Sequence, residues 1–146
     1  MHHGLLLTLH LLAAVAFAGT VFFEVVMLEG VRRHLPQSLM REVERAIGNR
    51  AVAIMPWVLL VLYAAGIGLA WDYREALHPP WSSSFGLLLA LKILLALSVF
   101  GHFLTAMLWR RRGLLNGRRS RHIHLSVFCH VLAIVILAKA MFYLQW

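Results

Sequence analysis

The chain has little of what a water-soluble protein spends on its surface. Only 6 of its 146 residues are acidic and 14 are Lys or Arg, so charged residues reach 14% against 61% hydrophobic. That balance excludes a soluble globule, and it excludes a disordered chain, which needs low hydrophobicity. Cys129 is the single cysteine, which excludes a disulfide scaffold. The sequence shows no low-complexity tract, no glycine loop that could cradle a phosphate and no hydrolase elbow, and no internal repeat stands out.

What the chain does have is four long apolar runs, Leu5–Leu28, Ala51–Trp71, Phe85–Trp109 and Ile123–Trp146. About 20 helical residues cross a hydrocarbon core of ~30 Å, so each run is long enough. Lipid offers no partner to backbone N–H and C=O groups, which forces helix, and no run alternates as a barrel strand would. Trp71, Trp81, Trp109 and Trp146 stand at run ends, where amphipathic rings prefer the interface. Connections of about 22, 13 and 13 residues make successive helices antiparallel neighbours. The expectation is an all-α membrane protein, a single transmembrane domain over residues 1–146 folded as an up-down antiparallel four-helix bundle. The first run passes Ala16-Phe17-Ala18, a possible cleavage site, but no Lys or Arg precedes it and it stays apolar to Leu28, which argues for a retained helix.

The net charge of +8 would suggest nucleic acid only if it decorated a soluble face. It does not. Of twelve Arg, five lie between Arg32 and Arg50 and six between Arg110 and Arg121, squeezed between apolar runs. Such juxtamembrane clusters attract anionic lipid, so the expected partner is the bilayer and not nucleic acid. Eleven arginines in the first and third connections, against Arg74 alone in the second, place both termini outside by the positive-inside rule. In a bacterium that is the inner membrane with periplasmic ends. Glu42 and Glu44 among the first arginines suggest a short amphipathic helix from a Ser38 cap to about Ile47, lying on the membrane.

Function then falls to the polar residues inside the runs: His10 and Glu24 in the first, Lys92 and His102 in the third, His130 and Lys139 in the fourth. Ionisable groups at such depth are costly and face the bundle interior or a cavity by default. His102 lies seven residues before the end of its run and His130 seven after the start of the next, so both sit ~10 Å inside the same boundary at 1.5 Å per residue. Two imidazoles facing each other across adjacent helices can hold b-type haem, with Arg110, Arg111 and Arg121 placed to pair with its propionates. Gly101 and Ala133 would leave room for the macrocycle. The alternative is that His102 and His130 bond each other or a hydroxyl of Ser98, Thr105 or Ser126 and lock the helices together. His10 and Lys92 share a height nearer the outer side, and Lys139 can snorkel to the outer interface. His10 and Glu24, fourteen residues apart, fall on nearly one face of their helix, and Glu24, close to the helix end, can equally pair with Arg.

His10, the stretch Ala18-Gly19-Thr20-Val21-Phe22-Phe23, and Leu91-Lys92-Ile93-Leu94-Leu95 leading to His102 and Trp109-Arg110-Arg111-Arg112 resemble the family of the copper-resistance D (CopD) proteins and the HemJ-type protoporphyrinogen oxidases. The resemblance implies haem binding for His10 and porphyrin handling for Lys92. It departs at Phe23-Glu24-Val25-Val26, where HemJ-type chains carry a Pro-Arg pair.

The functional expectation is a b-haem membrane protein in electron transfer or redox chemistry, protoporphyrinogen oxidase-like or quinone-linked, with one or two haems. In that reading His10, His102 and His130 are metal ligands, and Lys92 and Glu24 are catalytic residues acting on a porphyrin or quinone. His10 and Lys92 would then form a second haem site or a substrate site. One rival is a CopD-like copper-handling protein, for which His2, His3, His10 and His78 could bind Cu(II) although the methionines are scattered. The other is a small anchor subunit of a larger membrane complex, or a homo-oligomer. His122 and His124, beside Arg121, are simplest as headgroup neighbours.

Overall fold

The computed structural model describes residues 2–144. Met1, Gln145 and Trp146 lie outside the described residues, and with them the interfacial role expected of Trp146. The helices are α1 (His2–Phe22), continued by a π-turn (Phe23–Met27) into α2 (Leu28–Arg32), then α3 (Gln37–Asp72), α4 (Ser84–Arg111) and α5 (Gly117–Ala140). Two 3-10 turns, Arg74–Leu77 and Pro80–Ser82, join α3 to α4. No strand occurs among the described residues. Four helical stretches of 31, 36, 28 and 24 residues are long and apolar enough to cross a membrane, as the composition requires.

The boundaries differ most in the first half. The amphipathic helix expected between Ser38 and Ile47 is not a separate element on the membrane, because α3 runs without a break from Gln37. Its residues are good helix formers, and Gly48, which costs about 1 kcal/mol relative to Ala, is too weak a breaker to end it. Ser38 is accordingly no cap. It lies in the first turn, where the Met40 N–H donates to Pro36 O at 3.0 Å. A helix of 36 residues is ~54 Å long, more than the ~30 Å of a hydrocarbon core, and Arg41, Arg45 and Arg50 all lie in its first half. Pro56 sits inside α3 and removes one backbone donor without ending the helix.

The chain divides into two compact units, one up to Ala70 and one from Trp71 onward. In the first, α1 buries Ala13, Phe17 and Val21 at helical spacing, α2 buries Leu28, and α3 buries Met40, Leu59 and Ala65. α1 and α3 run antiparallel. A Cβ at Gly68 would meet Leu6 Cδ1 at 3.0 Å, and the Arg32 guanidinium reaches Glu44 at 2.5 Å and Glu29 at 3.1 Å.

In the second unit the start of α4 is fixed by its sequence. The Ser83 hydroxyl accepts from the Gly86 N–H at 3.0 Å, and Gly86 lies so close to the carbonyls of Ala76 and Pro80 that no side chain fits there. The 3-10 turns therefore fold onto the first turn of α4. Leu88, Leu89 and Met141 are buried there, with Leu77, Phe85, Ile93 and Leu137 around them. Tyr73, Phe85 and Phe142 stack with centroids 5.3 and 5.8 Å apart.

α4 ends in a Schellman turn. Gly113 takes φ +67°, its N–H donates to Arg110 O at 3.1 Å, and the Leu114 N–H donates to Trp109 O at 2.8 Å. Asn116 then caps α5 by accepting from the Arg119 N–H at 2.9 Å. The connection is thus residues 112–116 alone, and α5 starts before Ile123, with Arg118, Arg119 and Arg121 already helical. Reversal by so short a link makes α4 and α5 antiparallel neighbours.

A crossed serine and histidine network as the candidate site

His102 and His130 come together in the structure. Their rings meet across α4 and α5 with centroids 5.3 Å apart and planes inclined at 56°. Each ring is first oriented by its own helix. His102 Nδ1 lies 2.7 Å from Ser98 O and His130 Nδ1 lies 2.8 Å from Ser126 O, both one turn back along the chain. A carbonyl only accepts, so the proton is on Nδ1 in both rings and, in the neutral imidazole, the lone pair is on Nε2.

The Nε2 atoms are used across the interface. Ser98 Oγ donates to His130 Nε2 at 3.1 Å, and Ser126 Oγ donates to His102 Nε2 at 3.0 Å. Each serine therefore holds both histidines, one through its carbonyl and the other through its hydroxyl. The four residues close a ring of hydrogen bonds, half-buried, with Val99 and Val127 buried beside it. Of the hydroxyls the sequence offered as partners, Ser98 and Ser126 are taken. Thr105 instead donates to Gly101 O in its own helix at 2.8 Å.

This closed ring has a sequence signature that the absence of long repeats conceals. Ser98-Val99-Phe100-Gly101-His102 and Ser126-Val127-Phe128-Cys129-His130 are the same five residues but for one. Placed on antiparallel helices, the two copies form equivalent half-sites about a local two-fold axis. A short self-match at the two intramembrane histidines would have singled out Ser98 and Ser126 as the partners.

The remaining expected residues are placed as follows. Lys92 is half-buried on α4, one residue before Ile93 of the cluster around Leu88 and Leu89. Arg110 and Arg111 form the last turn of α4, and Arg121 lies in the exposed beginning of α5. The Arg119 guanidinium stacks on Trp109 at 5.2 Å and donates to Leu114 O at 2.8 Å, which joins the two helix ends. Lys139 is exposed with Nζ 5.0 Å over the Tyr143 ring. A Cβ at Gly101 would meet nothing within 4 Å, so Gly101 makes no close packing contact.

His10 and Glu24 belong to the first unit. Glu24 is half-buried within the π-turn. His10 donates from Nδ1 to Leu62 O on α3 at 2.9 Å, and Gly66 makes room for the ring, since a Cβ there would lie 3.0 Å from His10 Cε1. His2 and His78 are exposed. Among the described residues no three His, Cys, Asp or Glu side chains gather where one ion could be held, and His102 with His130 is a nitrogen donor pair that does come together. No family model, no curated protein and no solved structure matches the chain.

Proposed function

We propose that the chain is a multi-pass membrane redox protein that holds b-type haem through the Nε2 atoms of His102 and His130. The observation that carries this reading is the pair of Nδ1–H bonds to Ser98 O and Ser126 O, which fixes both rings in the tautomer a metal needs and leaves each Nε2 lone pair for the facing helix. The donor chemistry fits iron porphyrin: two neutral imidazoles on adjacent helices, at one depth. The spacing is that of rings in contact, so admitting the group requires α4 and α5 to part. Bound haem supplies reversible one-electron chemistry. The chain would supply the two imidazole nitrogens that hold it, an apolar surround and a cationic end, where Arg110, Arg111 and Arg121 would meet the propionates.

Four spans in up-down order with both termini outside complete the reading, supported by the arginine distribution and by antiparallel packing within each unit. The CopD and HemJ resemblance points to the same cofactor. In a bacterium the protein resides in the inner membrane.

The test is the visible spectrum of protein purified from haem-replete membranes, oxidised and dithionite-reduced. Stoichiometric b-type haem, lost in His102→Ala and in His130→Ala, is the expected result. A colourless preparation carrying copper would replace this reading with metal handling. Full haem retained in both variants but lost in His10→Ala would move the site to the first unit.

A further inference from the structure

Both Nε2 lone pairs on which iron ligation depends are occupied by serine hydroxyls, 3.1 Å away at His130 and 3.0 Å at His102. We propose that Ser98 and Ser126 are a latch: they hold the α4–α5 hairpin closed in the ligand-free chain and release the two imidazoles for axial ligation. This inference rests on the haem reading above and adds how the site opens.

Three features argue for it. First, the serines cap Nε2 alone. The Nδ1–H bonds that orient the rings run to backbone carbonyls, so a ring released by its serine keeps its tautomer and its aim. Second, the freed hydroxyls have somewhere to go. In this chain Thr8 donates to Gly4 O at 2.9 Å, Thr20 to Ala16 O at 2.9 Å and Thr105 to Gly101 O at 2.8 Å, each one turn back. The equivalent acceptors for Ser98 and Ser126 are the carbonyls of Leu94 and His122. Opening thus trades each cross-helix bond for a local one and orphans no hydroxyl in lipid. Third, the half-sites are equivalent, Ser98-Val99-Phe100-Gly101-His102 against Ser126-Val127-Phe128-Cys129-His130. Two equal bonds break, and two imidazoles of equal standing are released.

A latch makes the closed state compete with the ligand, because apparent affinity falls with the fraction of chains in the competent state. Removing one serine hydroxyl removes its cross-helix bond from the closed state and its local bond from the open one, and in the closed state alone it also leaves an imidazole Nε2 facing the other helix without a donor. Ser98→Ala and Ser126→Ala should each tighten haem binding about fivefold, the equivalent of the ~1 kcal/mol net worth of one hydrogen bond. The double variant should tighten it about 25-fold, the product of the two single effects.

The experiment uses the full chain in lipid nanodiscs, with two readouts. Nitrogen NMR of histidine-labelled, ligand-free protein reports each ring. Ser98→Ala should shift the Nε2 resonance of His130 and leave that of His102, and Ser126→Ala should do the reverse. Hemin titration of the same samples gives affinity, with the reduced spectrum as a check that two imidazoles still ligate. Crossed shifts with tighter binding bear the latch out. Crossed shifts with equal or weaker binding overturn it, leaving the serines as a structural staple while the haem reading stands. Absence of crossed shifts with haem bound overturns it as well. If neither the native chain nor the variants bind haem, the latch falls with the reading it rests on.

Discussion

His10 in the first unit and His102 with His130 in the second orient their rings by the same bond and put it to different use. His10 gives its Nδ1–H to a carbonyl on another helix, Leu62 O, so the orienting bond is itself the tertiary contact. His102 and His130 give theirs to their own helices, and contact between helices is left to Nε2. Turning the ring pinned from outside breaks a contact between α1 and α3. The rings aimed from within can exchange what their Nε2 atoms meet. The first arrangement ties two helices directly through the ring, and the second leaves that tie to the serine hydroxyls.

The ends of the two hairpins differ in parallel fashion. Arg32 is held between Glu29 and Glu44. No acidic residue follows Glu75, so the stretch from Arg110 to Arg121 contains no carboxylate of its own, and Arg119 is held by the Trp109 ring and the Leu114 carbonyl.

The largest effect that separates the two units is expected from their glycines. Gly86→Ala should cost about 3 kcal/mol or abolish folding, because the new methyl runs into the backbone carbonyls of Ala76 and Pro80, which cannot rotate away. Gly66→Ala meets only the His10 imidazole, at 3.0 and 3.2 Å, and should cost about 1 kcal/mol while freeing His10 from Leu62. Thermal unfolding in one lipid system compares them. Equal losses would mean that the His10 ring is as immovable as backbone.

Next come the histidines. His102→Ala and His130→Ala should each destabilise the chain by about 1–2 kcal/mol and match within ~0.5 kcal/mol, since each removal strands one serine and the other histidine loses an equivalent neighbour. A clear inequality would break the two-fold equivalence of the half-sites. His10→Ala should cost about 1 kcal/mol and leave haem content unchanged.

The smallest effects lie at the arginines. Glu44→Ala should cost about 0.5 kcal/mol, and the loss should shrink in high salt, as for any partly exposed ion pair. Arg119→Ala should cost a similar amount, about 0.5 kcal/mol, through its stack on Trp109, with little change in high salt. Equal salt sensitivity at both positions would remove the distinction between the two ends.

Much of this was legible in the sequence. The third run matches α4 to within two residues at each end, because a Ser-Ser-Ser stretch before it and Gly113 after it are local signals. The start of α3 was not legible: the charged stretch from Ser38 to Ile47 read as a separate helix before a run beginning at Ala51, whereas continuous helix satisfies the backbone groups between them. The pairing of His102 with His130 could be read from equal distances to the connection between their helices. The role of the serines was hidden because hydroxyls are common in such helices, and only the repeated five residues distinguished these two. The His10 contact had no signal, for its acceptor is a backbone carbonyl 52 residues away and its seat is the missing side chain of Gly66.

By itself the sequence determined that the chain forms four long apolar helices, where its charge lies and which titratable groups stand within them, because hydrophobicity and helix formation are properties of neighbouring residues. Only the tertiary structure decided what those groups meet. The Schellman turn at Gly113 and the Asn116 cap set the register of α5 on α4, and in antiparallel helices a slip of one residue would carry Ser98 and Ser126 off the imidazoles they hold.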